Sequence, residues 1–322
     1  MSGDSHPVND RVMPNLPLGE GAEFDAIRAL MERWGELAQG IGDDAAALEI
    51  PRGDQLVTSV DACVQGRHFR PEWITPAEIG ERATAAALSD LAAMAATPLG
   101  ILVAINLPES WRDRLSEIGD GIGAAARAAK AKILGGNISA AGELSIVTTV
   151  MGHAFRPIGR GGARIGDRVY VTGKLGGPGA ALRAWLAGRS PSIADRQRFV
   201  APRPRLAEAR WLANEGMHAC IDISDGLVAD AGHLAAASQH AIEIHRDRVS
   251  CVDGVAAAEA MASGEEYELL LTSPPLDVDA FAARFGLPLT EIGEVVVGPA
   301  ELRLFDGDAR VAAPKGHDHL SG

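Results

Sequence analysis

Strand-like and helix-like periodicities alternate along this chain, and that alternation restricts it to α/β architectures. Residues 24–37 carry Phe24, Ile27, Leu30, Met31 and Trp34 at helical spacing, with Gly40 and Gly42 ending the pattern. Residues 55–64 (QLVTSVDACV) read as a strand. Thr75-Pro76-Ala77-Glu78 then supplies an N-cap, a proline at the first helical position and a glutamate at the third. That grouping predicts a helix through the alanine-rich stretch to about Ala96. Residues 99–107 read as a strand, 110–130 as a helix, 131–136 as a short strand into a glycine turn, and 144–153 as a strand.

The texture changes at RPIGRGGARIGD (156–167), rich in Gly and Arg, which reads as a connection. Beyond it, 167–173 is a predicted strand, Gly176–Gly179 open a helix, and 204–215 form another. CIDIS is a strand and 226–238 a helix, with further strands at 267–272, 289–296 and 301–305. No strict repeat relates the halves. The expected organisation is a loose tail over residues 1–20, an N-terminal domain over 21–155 and a C-terminal domain over 156–322.

Hydrophobic residues make up 47% of the chain but aromatics only 4%, so the core must be aliphatic and alanine-rich. The net charge of −13 disfavours a nucleic-acid binder, which needs a basic face. A nucleotide stays possible if metal ions supply positive charge locally. Cys63, Cys220 and Cys251 are scattered, which suits a reducing compartment. There is no span-length apolar stretch and no signal-peptide pattern at the start, so a cytoplasmic protein is expected, with neither membrane nor nucleic acid as partner.

Carboxylates gather where elements end. Asp43 and Asp44 lie in GIGDDAAAL, Asp61 in VTSVD, Asp222 and Asp225 in CIDISDGL, and Glu265, Glu266 and Glu268 in SGEEYELLL. Each alone reads equally well as a turn or cap residue, and Glu265 and Glu266 as a solvated turn. Asp90 is different: it interrupts the packed run ALSDLAAMAA, where an unpaired carboxylate is not tolerated. Carboxylates in both halves, flanked by glycines and without His or Cys beside them, suit a hard cation such as Mg²⁺. Several such ions in one cleft point to polyphosphate and phosphoryl transfer.

Other nucleotide motifs fail. Gly173-Lys174 is followed by Leu175, and Arg168 stands where a P-loop has its first glycine. Gly121-Ile122-Gly123 lies in a helical pattern rather than after a strand. His317-Asp318-His319 could bind a metal, but three such residues near a terminus more often form a solvated tail.

Taken in order, GIGDDAAAL, SVDACVQGRHF, ALSDLAAMAATPLG, ILGGNIS, GDRVYVTG, APRPR, CIDISDGL, SGEEYELLL and KGHDHL resemble the thiamine-monophosphate kinases over about residues 20–320. That family belongs with aminoimidazole-ribonucleotide synthetase and selenophosphate synthetase. The resemblance implies a ferredoxin-like N-terminal α/β domain whose strands join a partner's into a dimeric barrel. A C-terminal α/β domain of the aminoimidazole-ribonucleotide synthetase type would cover the cleft. It implies ATP, Mg²⁺ and thiamine monophosphate as ligands, a homodimer, and direct transfer of the γ-phosphoryl group to the substrate phosphate.

Carried over by position, the metal ligands are Asp44, Ser59, Val60 (through its carbonyl), Asp61, Asp90, Asn137, Asp222 and Asp225, with Asp43 behind them. Gly136, Asn137, Arg160 and Ser224 match nucleotide-contacting positions, and His68, Glu265 and His317 substrate-contacting ones. No covalent nucleophile is implied. Five positions depart from the family pattern: Asn137 and Glu266 where it has Asp, Val60 where it has Thr, Ser263 where it has Gly, and His317 where it has an aromatic. Two alternatives stay open: another ATP-using enzyme of the superfamily, and a paralogue that binds these ligands without catalysis.

Overall fold

The computed structural model describes residues 14–18, 20–42 and 45–312. Helix α1 (Ala22–Trp34) leads to β1 (Gln55–Val64), α2 (Pro76–Ala93), β2 (Thr97–Leu107), α3 (Leu115–Ala129), β3 (Lys132–Ala140) and β4 (Ser145–Ala154). These four strands form one sheet in the order β1-β4-β2-β3. β4 is antiparallel to both β1 and β2, and β2 is parallel to β3. Strands β1 and β2 therefore run parallel with β4 between them, the split βαβ unit of ferredoxin-like domains.

The rest of the chain forms β5 (Arg168–Thr172), α4 (Gly177–Leu186), α5 (Ile193–Val200), α6 (Leu206–Asn214), β6 (Ala219–Asp222), α7 (Leu227–Ser238) and β7 (Ala241–His245). It ends with α8 (Ala257–Met261), β8 (Leu269–Ser273), α9 (Val278–Phe285), β9 (Leu289–Val296), β10 (Leu302–Asp306) and β11 (Ala309–Val311). The seven strands make a mixed sheet in the order β11-β10-β7-β9-β5-β8-β6.

Helix α2 is the axis of the molecule. Its start is the predicted capping box: the Glu78 amide donates to Thr75 Oγ1 at 3.3 Å, and the Thr75 amide to Glu78 Oε2 at 2.7 Å. Its small residues let α3 approach to backbone contact. A Cβ on Gly121 would meet the Ala77 carbonyl at 1.8 Å, and one on Gly80 the Ile118 carbonyl at 2.1 Å. On its other sides α2 packs against β1 and β4, and against α5, α6 and β6 of the second sheet's layer. One apolar core accordingly runs through both halves, joining Ile79, Leu88 and Leu91 to Phe199, Leu212 and Phe281. A second core lies under α7, built on Val169, Ile221, Leu227 and Leu270.

The structure differs from the sequence reading in places. Helix α2 ends at Ala93, with Ala95 in a left-handed turn (φ 53°) leading straight into β2. β3 runs on to Ala140, past the two glycines, because a register shift opposite Ile101 and Leu102 absorbs an extra residue as a bulge. Residues 14–18 belong to the fold rather than to a loose tail. Asn15 Nδ2 donates to the Ala38 carbonyl at 3.1 Å, and the Leu16 amide to the Ile41 carbonyl at 2.8 Å. Among the described residues no helix is long and apolar enough to cross a membrane.

Candidate active site

Strand alternation puts Val57, Ser59, Asp61 and Cys63 on the face of β1 that looks toward α2. Val57 and Cys63 are buried there. Ser59 Oγ donates to Asp90 Oδ2 at 2.6 Å, so the aspartate that interrupts the alanine-rich helix has found its partner. One residue before it, the Ser89 hydroxyl is buried without a well-formed hydrogen bond. It lies beside Asp222, at the end of β6, and helps hold that carboxyl down.

The acids act on one another. Burial pushes the Asp222 carboxyl up to about 6, and the Asp90 charge adds to it, while Ser89 and the Arg160 guanidinium pull the other way. Asp61 remains open on one side, yet loss of surrounding water raises it. Its own backbone contact with the Ala62 amide (2.8 Å) opposes this, and the Asp90 charge reinforces it. His68 lowers Asp61 and Glu265 raises it, which places both of those residues beside it. The ring of His68 is oriented by the Val64 amide, which donates to Nδ1 at 3.0 Å.

The turn after β6 is held from below by Asp230, whose side chain is 1% exposed. Its Oδ2 accepts from the amides of Ser224 and Asp225, both at 3.1 Å. Burial and the charges of Asp222 and Asp225 push the Asp230 carboxyl up to about 7, against the pull of those two amides. Among the described residues, the metal-ligating atoms that converge within 4.8 Å belong to Asp225, Asp230 and His233.

The 263–268 segment is laced to the same turn. The Glu265 amide donates to the Ser224 carbonyl at 2.7 Å, the Tyr267 amide to Ile223 at 2.9 Å, and the Ile223 amide to Glu268 at 2.8 Å. Gly264 permits this approach, since a Cβ there would meet the Ser224 carbonyl at 2.7 Å. This segment is not a solvated turn. Glu266 and Glu268 are both buried. Glu268 binds Thr172 and Arg205. Glu266 accepts from the Gly176 amide at 2.7 Å and from Ser263 Oγ at 2.5 Å, and so serves the start of α4, where Gly176 has no side chain to offer.

The structure thus brings Ser59, Asp61, Asp90, Asp222, Arg160, His68 and Glu265 into one neighbourhood, with Ser224 and Asp225 on its rim. Gly136 and Asn137 stand apart. Asp61, Thr148, Val103 and Gly136 occupy one row across the sheet, which puts Gly136 three strand spacings away. That is roughly 14 Å. Asn137 Nδ2 donates to Ser139 Oγ at 2.8 Å, and the residue borders an apolar recess of about 60 Å³ lined by Leu30, Trp34, Val103 and Ile105. The side chain of Val60 is 62% exposed on the opposite face of β1, leaving only its backbone as a donor. Asp43, Asp44 and His317 lie outside the described residues. Sequence reasoning missed Ser89 and Asp230. The signal for Asp230 was its position in the first turn of a helix directly after two acids.

The chain matches the AIR synthase related protein N-terminal domain over residues 42–154 and the corresponding C-terminal domain over 164–304. It is 34% identical to the thiamine-monophosphate kinase of Salmonella typhimurium, covering 92% of this chain and 96% of that one. It is 32% identical to the Aquifex aeolicus enzyme, covering 94% and 98%. Among solved structures, thiamine-monophosphate kinase from Stenotrophomonas maltophilia superposes with a TM-score of 0.78 at 35% identity, covering 89% of this chain and 96% of that one. AaThiL complexed with AMPPCP and TMP gives 0.74 at 31%, covering 95% and 99%. The hydrogenase maturation protein HypE in complex with ATP gives 0.77 at 19% identity, a likeness of fold alone. With both domains matched and relatives of this identity spanning nearly the whole length, the chain belongs to the thiamine-monophosphate kinase family and is a phosphotransferase.

Proposed function

We propose that this protein transfers the γ-phosphoryl group of ATP to the phosphate of thiamine monophosphate, giving thiamine diphosphate and ADP, with Mg²⁺ as the required metal. The observation that carries the reading is the oxygen-only group Ser59, Asp61, Asp90 and Asp222, in which the Asp90 charge raises the proton affinity of both Asp61 and Asp222. Repulsion around a buried carboxylate, with the poorly bonded Ser89 hydroxyl beside it, is what a hard divalent cation relieves. These residues and Asp225 would hold Mg²⁺, which when bound neutralises charge on the phosphates.

The protein's own groups do the rest. A phosphate acceptor is already anionic, so the site needs no strong base, and alignment is the main task. Arg160 faces the acids as the cation available to a transferring phosphoryl group. The Ser224–Gly226 turn, held by Asp230, sets the N-terminus of α7 toward the same space. His68 and Glu265 border it from the two halves and are placed to contact the thiamine phosphate. Residues 21–155 would form the nucleotide and metal domain and 156–322 its cover, in a cytoplasmic homodimer.

The deciding experiment incubates purified protein with Mg²⁺, ATP and thiamine monophosphate and follows thiamine diphosphate by chromatography. Product that disappears with EDTA and returns with Mg²⁺ is the expected result. Asp90→Ala should remain folded and lose at least about 100-fold in kcat. ATP binding without product would instead make the chain a non-catalytic paralogue.

A further inference from the structure

We propose that Arg82 is a positioning residue for the substrate side of the site. It reaches from the N-terminal half and clamps Glu265, on the C-terminal half, in the orientation that receives thiamine monophosphate. The inference rests on the functional reading above and adds a residue that none of the family motifs assigns.

Arg82 lies on α2, eight residues before Asp90, and is 1% exposed. A buried guanidinium is costly unless it is paired, and here Glu265 pairs it. One nitrogen meets Glu265 Oε1 at 2.5 Å, another donates to the Phe199 carbonyl, and the plane lies 3.8 Å from the centre of the Phe199 ring. Burial is the largest single influence and works against its charge, while Glu265, with Tyr267 and Cys63 beside it, turns the balance and keeps Arg82 protonated.

Glu265 is the residue that needs holding. Its backbone is left-handed (φ 59°), which costs a non-glycine residue about 1 kcal/mol. Its amide is committed to Ser224, so its side chain leaves the turn of the metal-side loop in a set direction. The carboxylate is gripped by Arg82 while 28% of the side chain stays exposed, so the residue is anchored without being sealed off. Arg82 itself is too deeply buried to touch a substrate. The charges of Arg82, Glu265 and Asp61 all bear on the buried Cys63 thiol, so the clamp adjoins the acid cluster directly. Lysine cannot replace this arrangement, because a point charge cannot engage a carboxylate, a carbonyl and a ring face in one plane.

The test compares wild type, Arg82→Lys, Glu265→Gln and the Arg82→Lys/Glu265→Gln double variant. Each is first checked for a cooperative melt, then assayed for KM toward each substrate separately and for thiamine monophosphate binding by calorimetry. Arg82→Lys should raise KM and Kd for thiamine monophosphate roughly tenfold while KM for ATP and kcat stay within about twofold. The double variant should be no worse than Glu265→Gln alone, because both act through one carboxylate. A folded Arg82→Lys protein with unchanged KM, an equal rise in both KM values, or additive losses would overturn the clamp and leave the kinase reading intact. Wild-type protein that neither binds nor phosphorylates thiamine monophosphate would overturn both. Should Arg82→Lys fail to fold, Arg82→Met combined with Glu265→Gln, which removes the charge pair together, repeats the additivity comparison.

Discussion

At the scale of single residues, Asp222 shows what crowding carboxylates together costs the protein that carries them. The residue is 4% exposed, and burial together with the Asp90 charge lifts its pKa from 3.8 to about 6. A folded-state pKa above the unfolded one means the native state holds the proton more tightly. Stability therefore falls as pH rises from about 4 to 6 and levels off above that, by up to about 3 kcal/mol in the metal-free protein. Asp222→Asn removes the charge and keeps the shape. In the absence of divalent metal it should melt higher than wild type, with the difference growing by about 1 kcal/mol between pH 5 and pH 7. The same variant should lose kinase activity. Calorimetric melts at the two pH values check the first claim, and a difference that shrinks as pH rises would refute it. Asp222 was legible in the sequence because it ends an apolar run, and Asp90 because it breaks one. Asp230 was only hinted at by its place in the first helical turn after two acids, and Arg82 not at all, because their importance comes from groups that only folding supplies: two backbone amides for one, a carboxylate 183 positions away for the other.

At the scale of elements, α2 unites most of what matters. It carries Arg82, Ser89 and Asp90 on one rigid rod, so the helix anchors of the substrate clamp and of the acid cluster are held about 12 Å apart along one helix rather than by loops. That rod is seated by glycine contacts with α3, which predicts a sharp sensitivity. Gly121→Ala forces a methyl group into the Ala77 carbonyl and should destabilise by roughly 2–3 kcal/mol. Gly142→Ala, at a loop glycine with open space around it, should change stability by less than about 0.5 kcal/mol. Denaturant melts of the two variants decide it, and equal midpoints would mean the helices can part freely. The start of α2 was readable to the residue, since Thr-Pro-x-Glu is a local signal that tertiary packing reinforced. Helix α5 and strand β7 went unread. Ile193–Val200 is short, with Arg and Asp through its middle, and it is held by the Ser192 cap and by Arg196 reaching across to Glu78. Ala241–His245 has only five residues and takes its place between β9 and β10 from the sheet around it.

At the scale of the whole molecule, the N-terminal sheet has a finished side and an unfinished one. Residues such as Ile101, Val103, Ile105, Ile146 and Val150 are buried on the side covered by α2 and α3. The strand register puts Leu56, Thr58 and Val60 of β1 on the other side, with Val147, Thr149 and Met151 of β4 and Leu102 of β2. Leu56 is 52% and Val60 62% exposed there, and among the described residues β1 is an edge strand with nothing paired beyond it. An apolar sheet face ending in an open, ten-residue edge is an aggregation hazard unless another surface covers it. A second copy presenting the same face satisfies that need with two-fold symmetry, and it is the cover that the dimeric-barrel expectation calls for. If Gly136 and Asn137 contact the nucleotide as the family resemblance implies, a second copy is needed for that too, since they stand on the far edge strand, out of reach of the acids on β1 in a single chain. Leu56→Lys/Met151→Lys places two charges on that open sheet face, away from the helices and the acid cluster. Sedimentation should show wild type at twice the chain mass at micromolar concentration and the double variant at the chain mass. Circular dichroism should show both with the same secondary structure. A wild-type protein that sediments as a monomer, or a variant that still dimerises, would send the search for the covering surface elsewhere.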